Sequence, residues 1–177
     1  MKDTVLLVVD VQTALILAHP YNEEKMINNI KHLLLFCREK NIEIVYIQHD
    51  GGTGDELECD SDGWQIYKDI TPHLGEKIFD KQYNSAFKST GLKDYLDSKN
   101  IKKIILVGMQ TEYCMDTTCK IAFEYGYNII IPEETTSTYD NSYFTGKILY
   151  EYYLYKIWKD RFAKVISMDE LEKSLNS

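Results

Sequence analysis

The sequence has few of the residues that would support a disulfide scaffold or a surface for polyanions. Its 177 residues include four cysteines, unevenly spaced and without a C-x-x-C pair, so we expect reduced thiols and no disulfide framework. Twenty Lys and Arg stand against 28 Asp and Glu, which gives a formal net charge of −8. Because phosphate backbones are bound by clustered Lys and Arg, this balance argues against nucleic acid as a partner, and equally against anionic membranes.

Long apolar segments are also missing. No run approaches the ~20 apolar residues that span a bilayer, and the start, MKDTVLLVVDVQ, meets an Asp before a signal-peptide core can form. We therefore expect a cytoplasmic protein with no membrane partner. With 44% hydrophobic residues and no internal repeat or linker, residues 1–177 are expected to form one globular domain.

The order of apolar runs and periodic segments predicts an α/β domain. Six runs are interpreted as strands, at 4–9, 42–48, 77–80, 104–107, 127–131 and 162–166. Helical spacing predicts helices over 22–40, 90–99, 111–125 and 141–158, and a further helix closes the chain. Such alternation is typical of a mostly parallel six-stranded sheet with helices on both faces, a three-layer α/β/α architecture.

Strand order then places two candidate groups together. In the doubly wound order 3-2-1-4-5-6, strands one and four are neighbours, and ligands bind in the crevice beyond their carboxyl ends. Asp10 leaves strand one and Cys114 follows strand four. Topology alone therefore predicts a carboxylate and a thiol in one crevice.

The segment IILVGMQTEYCMDTTC, residues 104–119, is central to the functional prediction. A buried strand ends at Gly108, Thr111 can cap the following helix, and Cys114 falls near the helix N-terminus. A free thiol has a pKa of ~8.5, which helix N-termini and nearby cations lower. The position suits a nucleophile biased toward thiolate. From the residues alone, the alternative is a small buried apolar side chain.

Three segments carry a family resemblance: LLVVDVQ at 6–12, FDKQYNSAF at 79–87 and VGMQTEYCMDTTCKIAFEYGY at 107–127. Taken together and in this order, they resemble the isochorismatase-like cysteine hydrolases, which include nicotinamidases and N-carbamoylsarcosine amidohydrolase. The resemblance places the family's catalytic set on Asp10, Lys81 and Cys114. Without it, Asp10 would be interpreted as a turn residue at a strand end and Lys81 as a solvated surface charge.

The resemblance implies hydrolysis of a C–N amide bond in a small molecule through a thioester on Cys114. Asp10 would be the general base, first toward the thiol and then toward water, while Lys81 would favour the thiolate and keep Asp10 ionised. Backbone N–H groups of Gln110 and Cys114 would form the oxyanion hole. Similar family members also imply a cis peptide bond between Met109 and Gln110.

One segment departs from the nicotinamidase branch of the family. Nicotinamidases carry an Asp-x-His pair and a later His as metal ligands after strand two, whereas YIQHDGGTGDELECDSDGW, residues 46–64, has His49 alone, with Asp50 and Asp55 nearby. This set lacks the convergent ligands of a catalytic zinc, so we expect no metal and no cofactor. Members that cleave isochorismate typically lack the cysteine, so Cys114 favours amide chemistry.

Side chains from the loops around the crevice are expected to bind the substrate. They are Gln12, His49, Trp64, Tyr83, Phe87 and Tyr113. The aromatic rings indicate a flat or apolar group beside the scissile bond of an amide-like substrate, and core packing is the alternative for each of them. Cys37 and Cys59 are interpreted as structural, and Cys119 does not share a helix face with Cys114.

The predicted helix over 141–158 is apolar on all sides. Its three stripes are Phe144, Ile148, Tyr152 and Tyr155; Leu149, Tyr153 and Ile157; and Tyr150, Leu154 and Trp158. A helix of this kind is buried on more than one side, which predicts a subunit contact in a homo-oligomer, a dimer or a tetramer. The alternative is a tyrosine-rich surface, since Tyr tolerates water.

Two functional hypotheses from other classes remain open. In one, the chain is catalytically silent or senses oxidants through Cys114 as an accessible thiol. In the other, it is a small-ligand or nucleotide-binding α/β module, as the glycines at 51, 52 and 54 suggest, although no G-x-G-x-x-G opens a helix after strand one.

Overall fold

A computed structural model describes residues 2–176 as a parallel sheet between two layers of helices. The strands are β1 (Thr4–Val9), β2 (Glu43–His49), β3 (Lys77–Lys81), β4 (Lys103–Met109), β5 (Asn128–Pro132), β6 (Thr136–Ser137) and β7 (Lys164–Ile166). The helices are α1 (Thr13–Leu17), α2 (Glu23–Glu39), α3 (Leu92–Ser98), α4 (Asp116–Glu124), α5 (Gly146–Tyr152) and α6 (Met168–Asn176). A 3-10 turn at Lys68–Ile70 and π-helical segments at Thr111–Met115 and Tyr153–Trp158 complete the described elements.

The sheet confirms the predicted α/β class and strand path. Its order is β3-β2-β1-β4-β5-β7, every pairing of these strands is parallel, and β6 pairs with β4. The predicted count of six strands is wrong, because the sheet formed within residues 2–176 has seven. The additional strand, β6, pairs Thr136 and Ser137 with Gly108 and Met109, and a strand of two residues is too short to leave a periodic pattern in the sequence.

Alternate residues of β1 belong to two different cores. Val5, Leu7 and Val9 pack in the core on the side of α3, α4 and α5. Leu6 and Val8 pack in the core on the side of α2 and α6. Burial on both faces explains why β1 is a continuous apolar run.

The predicted cap at Thr111 is wrong, and the residue before α2 also lacks a side-chain cap. Asn22 precedes α2 in the left-handed region, with φ 55°, and its side chain makes no cap hydrogen bond. Thr111 lies inside the first π-helical segment, where its hydroxyl donates to the backbone oxygen of Ser137 at 2.9 Å. The Thr111 hydroxyl is therefore engaged with Ser137, a residue distant in the chain, and does not cap the helix.

The helix predicted over 141–158 begins later and changes its winding. It starts at Gly146 after a cap by the Thr145 side chain, and its last turn, Tyr153–Trp158, is π-helical. None of the helices within residues 2–176 combines the length and the hydrophobicity that a membrane crossing needs.

Close approach of β1 and β4 depends on a glycine. Gly108 pairs with Val9 across the two strands and has φ 122°. A Cβ at this position would lie 2.0 Å from the backbone oxygen of Val9. Because Asp10 follows Val9 directly, this contact sets the distance between the two strand ends that bear the predicted catalytic groups.

We predict that Gly108→Ala lowers the free energy of unfolding by ~4 kcal/mol or more, since a backbone clash adds to the strain of a positive φ. Gly126→Ala is the matched control, because Gly126 also has a positive φ, 84°, but has open space around its Cβ position. The control should cost only ~1–2 kcal/mol. Urea denaturation of both variants measures the two costs, and equal costs would contradict the role given to the β1–β4 contact.

Candidate active site

Asp10 stands where β1 ends, in the left-handed region of backbone space. Its φ is 50°, a conformation that Asp tolerates better than most residues. Its backbone N–H donates to the oxygen of Ile47 in β2 at 3.0 Å. The residue is only 1% exposed, so its carboxylate needs partners inside the protein.

Lys81 supplies that partner from the other side of β2. It is the last residue of β3 and lies opposite His49 in the strand register. Its Nζ lies 2.7 Å from Asp10 Oδ2, 3.1 Å from His49 Nδ1 and 3.2 Å from Cys114 Sγ. An ammonium has three N–H bonds, and here three acceptors from three parts of the chain surround it.

His49 acts as a neutral acceptor in this arrangement. Burial, and then the positive charge of Lys81, lower the pKa of His49 below its usual value. The unprotonated Nδ1 can therefore accept from Lys81, which places the ring proton on Nε2. His49 thus helps to fix the position of the ammonium.

Cys114 enters the crevice from the first π-helical segment. Burial, and then the negative charge of Asp10, raise the pKa of its thiol to about 12, against the opposing effect of Lys81. This direction is opposite to the expected bias toward thiolate, because burial and the Asp10 charge outweigh the effect of the lysine. The resting sulfur carries its proton.

A proton acceptor for that thiol is present in the site. Among residues 2–176, the buried Oδ1 of Asp10 has no hydrogen-bond partner, while Oδ2 is held by Lys81. One oxygen of the carboxylate is therefore fixed and the other is free to accept. This division suits a general base.

The backbone before Cys114 has the expected cis geometry. The Met109–Gln110 peptide bond is cis, and the carbonyl oxygen of Gln110 accepts from the N–H groups of Tyr113 and Met115 at 3.1 and 3.2 Å. An oxyanion hole made by the N–H groups of Gln110 and Cys114 stays a prediction.

Gln12, expected to contact substrate, has its polar atoms engaged within the protein. Its Nε2 donates to the backbone oxygens of His49 and Trp64 at 2.9 and 2.8 Å. Its Oε1 accepts from the N–H of His49 at 2.8 Å. Gln12 thus joins the end of β2 to the loop that carries Trp64.

Of the four expected aromatic residues, one lies in the core. Phe87 is 8% exposed and packs against the rings of Tyr125 and Tyr127, so it is removed from the expected pocket. The other three lie on or near the surface. Trp64 is half-buried, and Tyr83 and Tyr113 are exposed.

Asn84 was missed by the sequence analysis. Its Oδ1 lies 3.9 Å from Cys114 Sγ, and it borders an open cleft of about 460 Å³. The cleft is lined by Gln82, Tyr83, Asn84, Ser85, Lys88, Thr117 and Ile121. The cleft therefore leads toward the thiol. The sequence feature that could have identified Asn84 is its position as a polar residue, three positions after Lys81 in FDKQYNSAF.

The residues near His49 do not fit the zinc centre of nicotinamidases. Its Nδ1 already accepts from Lys81, and the carboxylate of Asp50 accepts from backbone N–H groups of its own loop and from Gln82. Within residues 2–176, no group of three or more His, Cys, Asp or Glu side chains could hold a metal ion.

We predict that Lys81→Met lowers the free energy of unfolding by ~3–5 kcal/mol, because it leaves the buried Asp10 carboxylate without a cation. Adding Asp10→Asn should recover part of this loss. Lys147→Met is the control, since Lys147 pairs with Glu151 on the surface at 3.8 Å and should cost less than ~1 kcal/mol. Urea denaturation at neutral pH measures all three, and equal losses for the two lysines would refute the buried ion pair.

Comparison with known proteins agrees with the fold. The model of the isochorismatase domain matches residues 4–170. Streptothricin hydrolase of Streptomyces noursei is 29% identical over 137 residues, which cover 76% of this chain and 50% of that protein. N-carbamoylsarcosine amidase of Arthrobacter sp. is 29% identical over 138 residues, which cover 66% of this chain and 52% of that protein.

A solved structure described as an isochorismatase family protein is also similar. It superposes with a TM-score of 0.88 at 28% identity and covers 94% of this chain and 99% of its own. The present chain spans about half the length of the two curated relatives above. Because the domain model matches nearly the whole chain, the protein belongs to the isochorismatase family.

Proposed function

We propose that this protein is a cysteine hydrolase that cleaves a C–N amide bond of a small molecule through a thioester on Cys114. The observation that carries the proposal is the buried Lys81 ammonium, 2.7 Å from Asp10 Oδ2 and 3.2 Å from Cys114 Sγ. A relative named as an amidase supports amide chemistry within the family. The cytoplasmic location expected from the sequence stays a prediction.

The first half of the reaction forms the thioester. Asp10 Oδ1 takes the thiol proton while the sulfur of Cys114 attacks the carbonyl carbon, so a C–S bond forms and the carbonyl π electrons move to oxygen. Backbone N–H groups of Gln110 and Cys114 would donate to this oxyanion. The C–N bond then breaks, and Asp10 returns the proton to the leaving nitrogen.

The second half hydrolyses the thioester. Asp10 takes a proton from water, the hydroxide adds to the acyl carbon, and the C–S bond breaks. The proton on Asp10 returns to the sulfur, so the enzyme is regenerated and the acid is released. The Lys81 side chain would stabilise the negative charge that moves between Asp10 and the sulfur.

Polar and aromatic groups at the approach would orient the substrate. Trp64 has a buried indole N–H without an acceptor within residues 2–176, and Asn84 stands beside the sulfur at the end of the cleft. Tyr83 and Tyr113 present exposed rings suited to the flat or apolar part of a small amide. His49, also expected to contact the substrate, would in addition hold the Lys81 ammonium through its Nδ1.

We predict that a panel of small primary amides yields an acyl adduct on Cys114, detected by peptide mass spectrometry after acid quenching. Cys114→Ala and Asp10→Asn should lose turnover by ~10³-fold or more while remaining folded. Cys119→Ala is the matched control, since Cys119 is a buried thiol of α4 outside the site, and its turnover should persist. Only sulfenic acid on Cys114, or turnover that survives in Cys114→Ala, would refute the mechanism.

We also propose that the protein is a homo-oligomer that buries an apolar stripe over residues 144–155, which includes α5 and part of the π-helical segment after it. The four side chains are 41–54% exposed: Phe144, Ile148, Tyr152 and Tyr155. A cavity of about 370 Å³ lies between this stripe and the neighbouring Leu149 and Tyr153. Contiguous exposed apolar surface of this kind is typical of protein contacts, and the buried remainder of the helix explains its all-round apolar pattern.

We predict that the double variant Ile148→Lys and Tyr152→Lys sediments as a smaller species than the wild-type oligomer, because two charges would have to be desolvated in the contact. Leu35→Lys is the control, since Leu35 is an exposed apolar residue, 59% accessible, on α2. Analytical ultracentrifugation measures the oligomeric state of the three proteins. A wild-type protein that is monomeric at every concentration contradicts the proposal.

A further inference from the structure

Lys88 lies on the wall of the open cleft of about 460 Å³ that Asn84 borders. The other described residues on this wall are uncharged, so Lys88 is the formal charge that residues 2–176 contribute to it. A cleft of this volume is large enough for a small molecule. It therefore presents one positive charge to a ligand that enters.

Two residues of the same wall connect the cleft to the sulfur. Asn84 Oδ1 lies 3.9 Å from Cys114 Sγ. Thr117, in the first turn of α4, follows Cys114 by three residues, and residues three apart are neighbours on a helix surface. A second cavity, of about 170 Å³, is lined by both Lys88 and Lys81. Lys88 therefore stands at the approach to the proposed nucleophile.

The ammonium of Lys88 is held in position without a counter-ion. Its Nζ lies 3.7 Å from the centroid of the Tyr83 ring, and this cation–π contact restrains a long side chain that is otherwise exposed. The ion pairs formed within the described part of the chain do not include Lys88. The N–H bonds that point away from the ring are therefore available to an anionic acceptor.

The acidic residues near Lys88 line the second cavity and not the cleft. They are Asp50 and Asp80. The carboxylate of Asp50 accepts from Gln82 Nε2 at 3.0 Å. Burial, and then the charges of Asp50 and Asp60, raise the pKa of Asp80, which indicates that the negative charges gather on that side. The cleft keeps the positive charge of Lys88.

We propose that Lys88 binds a carboxylate of the substrate, so that the enzyme hydrolyses small amides that carry an acidic group. The inference rests on the proposed function and adds the substrate class to it. With its carboxylate at Lys88 and its amide beside Asn84, such a substrate would direct its carbonyl carbon toward Cys114. A charge-assisted hydrogen bond is stronger than a neutral one, and the net charge of −8 would otherwise repel an anion.

The test uses three chloroacetamides of similar size that differ in charge. They are the N-(2-carboxyethyl), N-propyl and N-(2-aminoethyl) derivatives, which are anionic, neutral and cationic at neutral pH. With each of them a C–S bond forms at Cys114 while the C–Cl bond breaks and chloride leaves. The second-order rate constant at Cys114 is measured by mass spectrometry at low salt and divided by that of 2-mercaptoethanol, which removes differences in intrinsic reactivity.

We expect the anionic probe to react ~5-fold faster than the neutral probe with the wild-type protein, and the cationic probe to react slowest. Lys88→Gln should reverse the order of the anionic and neutral probes, because only the repulsion by the net charge of −8 then acts on the anion. Lys88→Arg should keep the preference for the anion, since it keeps the positive charge.

Lys40→Gln is the matched control. Lys40 is also exposed, lies over an aromatic ring, that of Phe36, at 5.7 Å, and is outside the ion pairs of residues 2–176. It precedes β2, whose opposite end bears His49. This variant loses the same charge away from the cleft, so it should keep the preference for the anionic probe.

Equal rates for the three probes at Cys114, or a faster cationic probe, would overturn the role of Lys88 and leave the nucleophile intact. A preference for the anion that survives in Lys88→Gln would assign it to another residue and also overturn the inference. Loss of the preference in Lys88→Arg as well as in Lys88→Gln would attribute it to the shape of the cleft, with the same consequence. Failure of all three probes to alkylate Cys114 in the native protein would instead contradict the proposed function itself.

Discussion

One buried ammonium determines the arrangement of the site. Lys81 is 2% exposed, and its three N–H bonds meet Asp10, His49 and Cys114 at 2.7, 3.1 and 3.2 Å. Because an unpaired charge in the interior is strongly destabilising, the fold must keep these acceptors in place. The same contacts therefore stabilise the folded state and hold the proposed reacting groups within reach of one another.

Sheet topology makes this convergence possible. β1 lies between β2 and β4, so the residues that follow these strands meet at one edge. Lys81 comes from β3, two strands away from Asp10, and its long side chain passes the end of β2 to reach the carboxylate. The glycine at 108 and the amide of Gln12 then fix the backbones on either side of the crevice.

The fold class and the meeting of Asp10 with Cys114 could be predicted because both follow from patterns that are local in sequence. Apolar runs predict the strands, and helical spacing of apolar residues predicts α2. The strand order then predicts which strands are adjacent in the sheet. Other features depend on partners that are distant in the chain. The Thr111 hydroxyl donates to the backbone oxygen of Ser137. The ring of Phe87 packs against the rings of Tyr125 and Tyr127 in the core.

The direction of the pKa shift of the proposed nucleophile could not be predicted for a related reason. The position of Cys114 near a helix start is visible in the sequence, and it favours a low pKa. The extent of its burial is a property of the whole fold, and burial has the opposite and larger effect. The approach past Asn84 is likewise visible only in three dimensions.

The electrostatic coupling of Asp10 to Cys114 is tested most directly by the pH dependence of thiol alkylation. The rate of iodoacetamide modification at Cys114 is measured across the alkaline range for the wild-type protein and for Asp10→Asn. Burial and the Asp10 charge raise the pKa of this thiol to about 12, against the effect of Lys81. The wild-type rate should therefore still be rising above pH 9, and the profile of Asp10→Asn should shift to lower pH, because the raising charge is gone while Lys81 remains. Identical profiles for the two proteins would contradict the account.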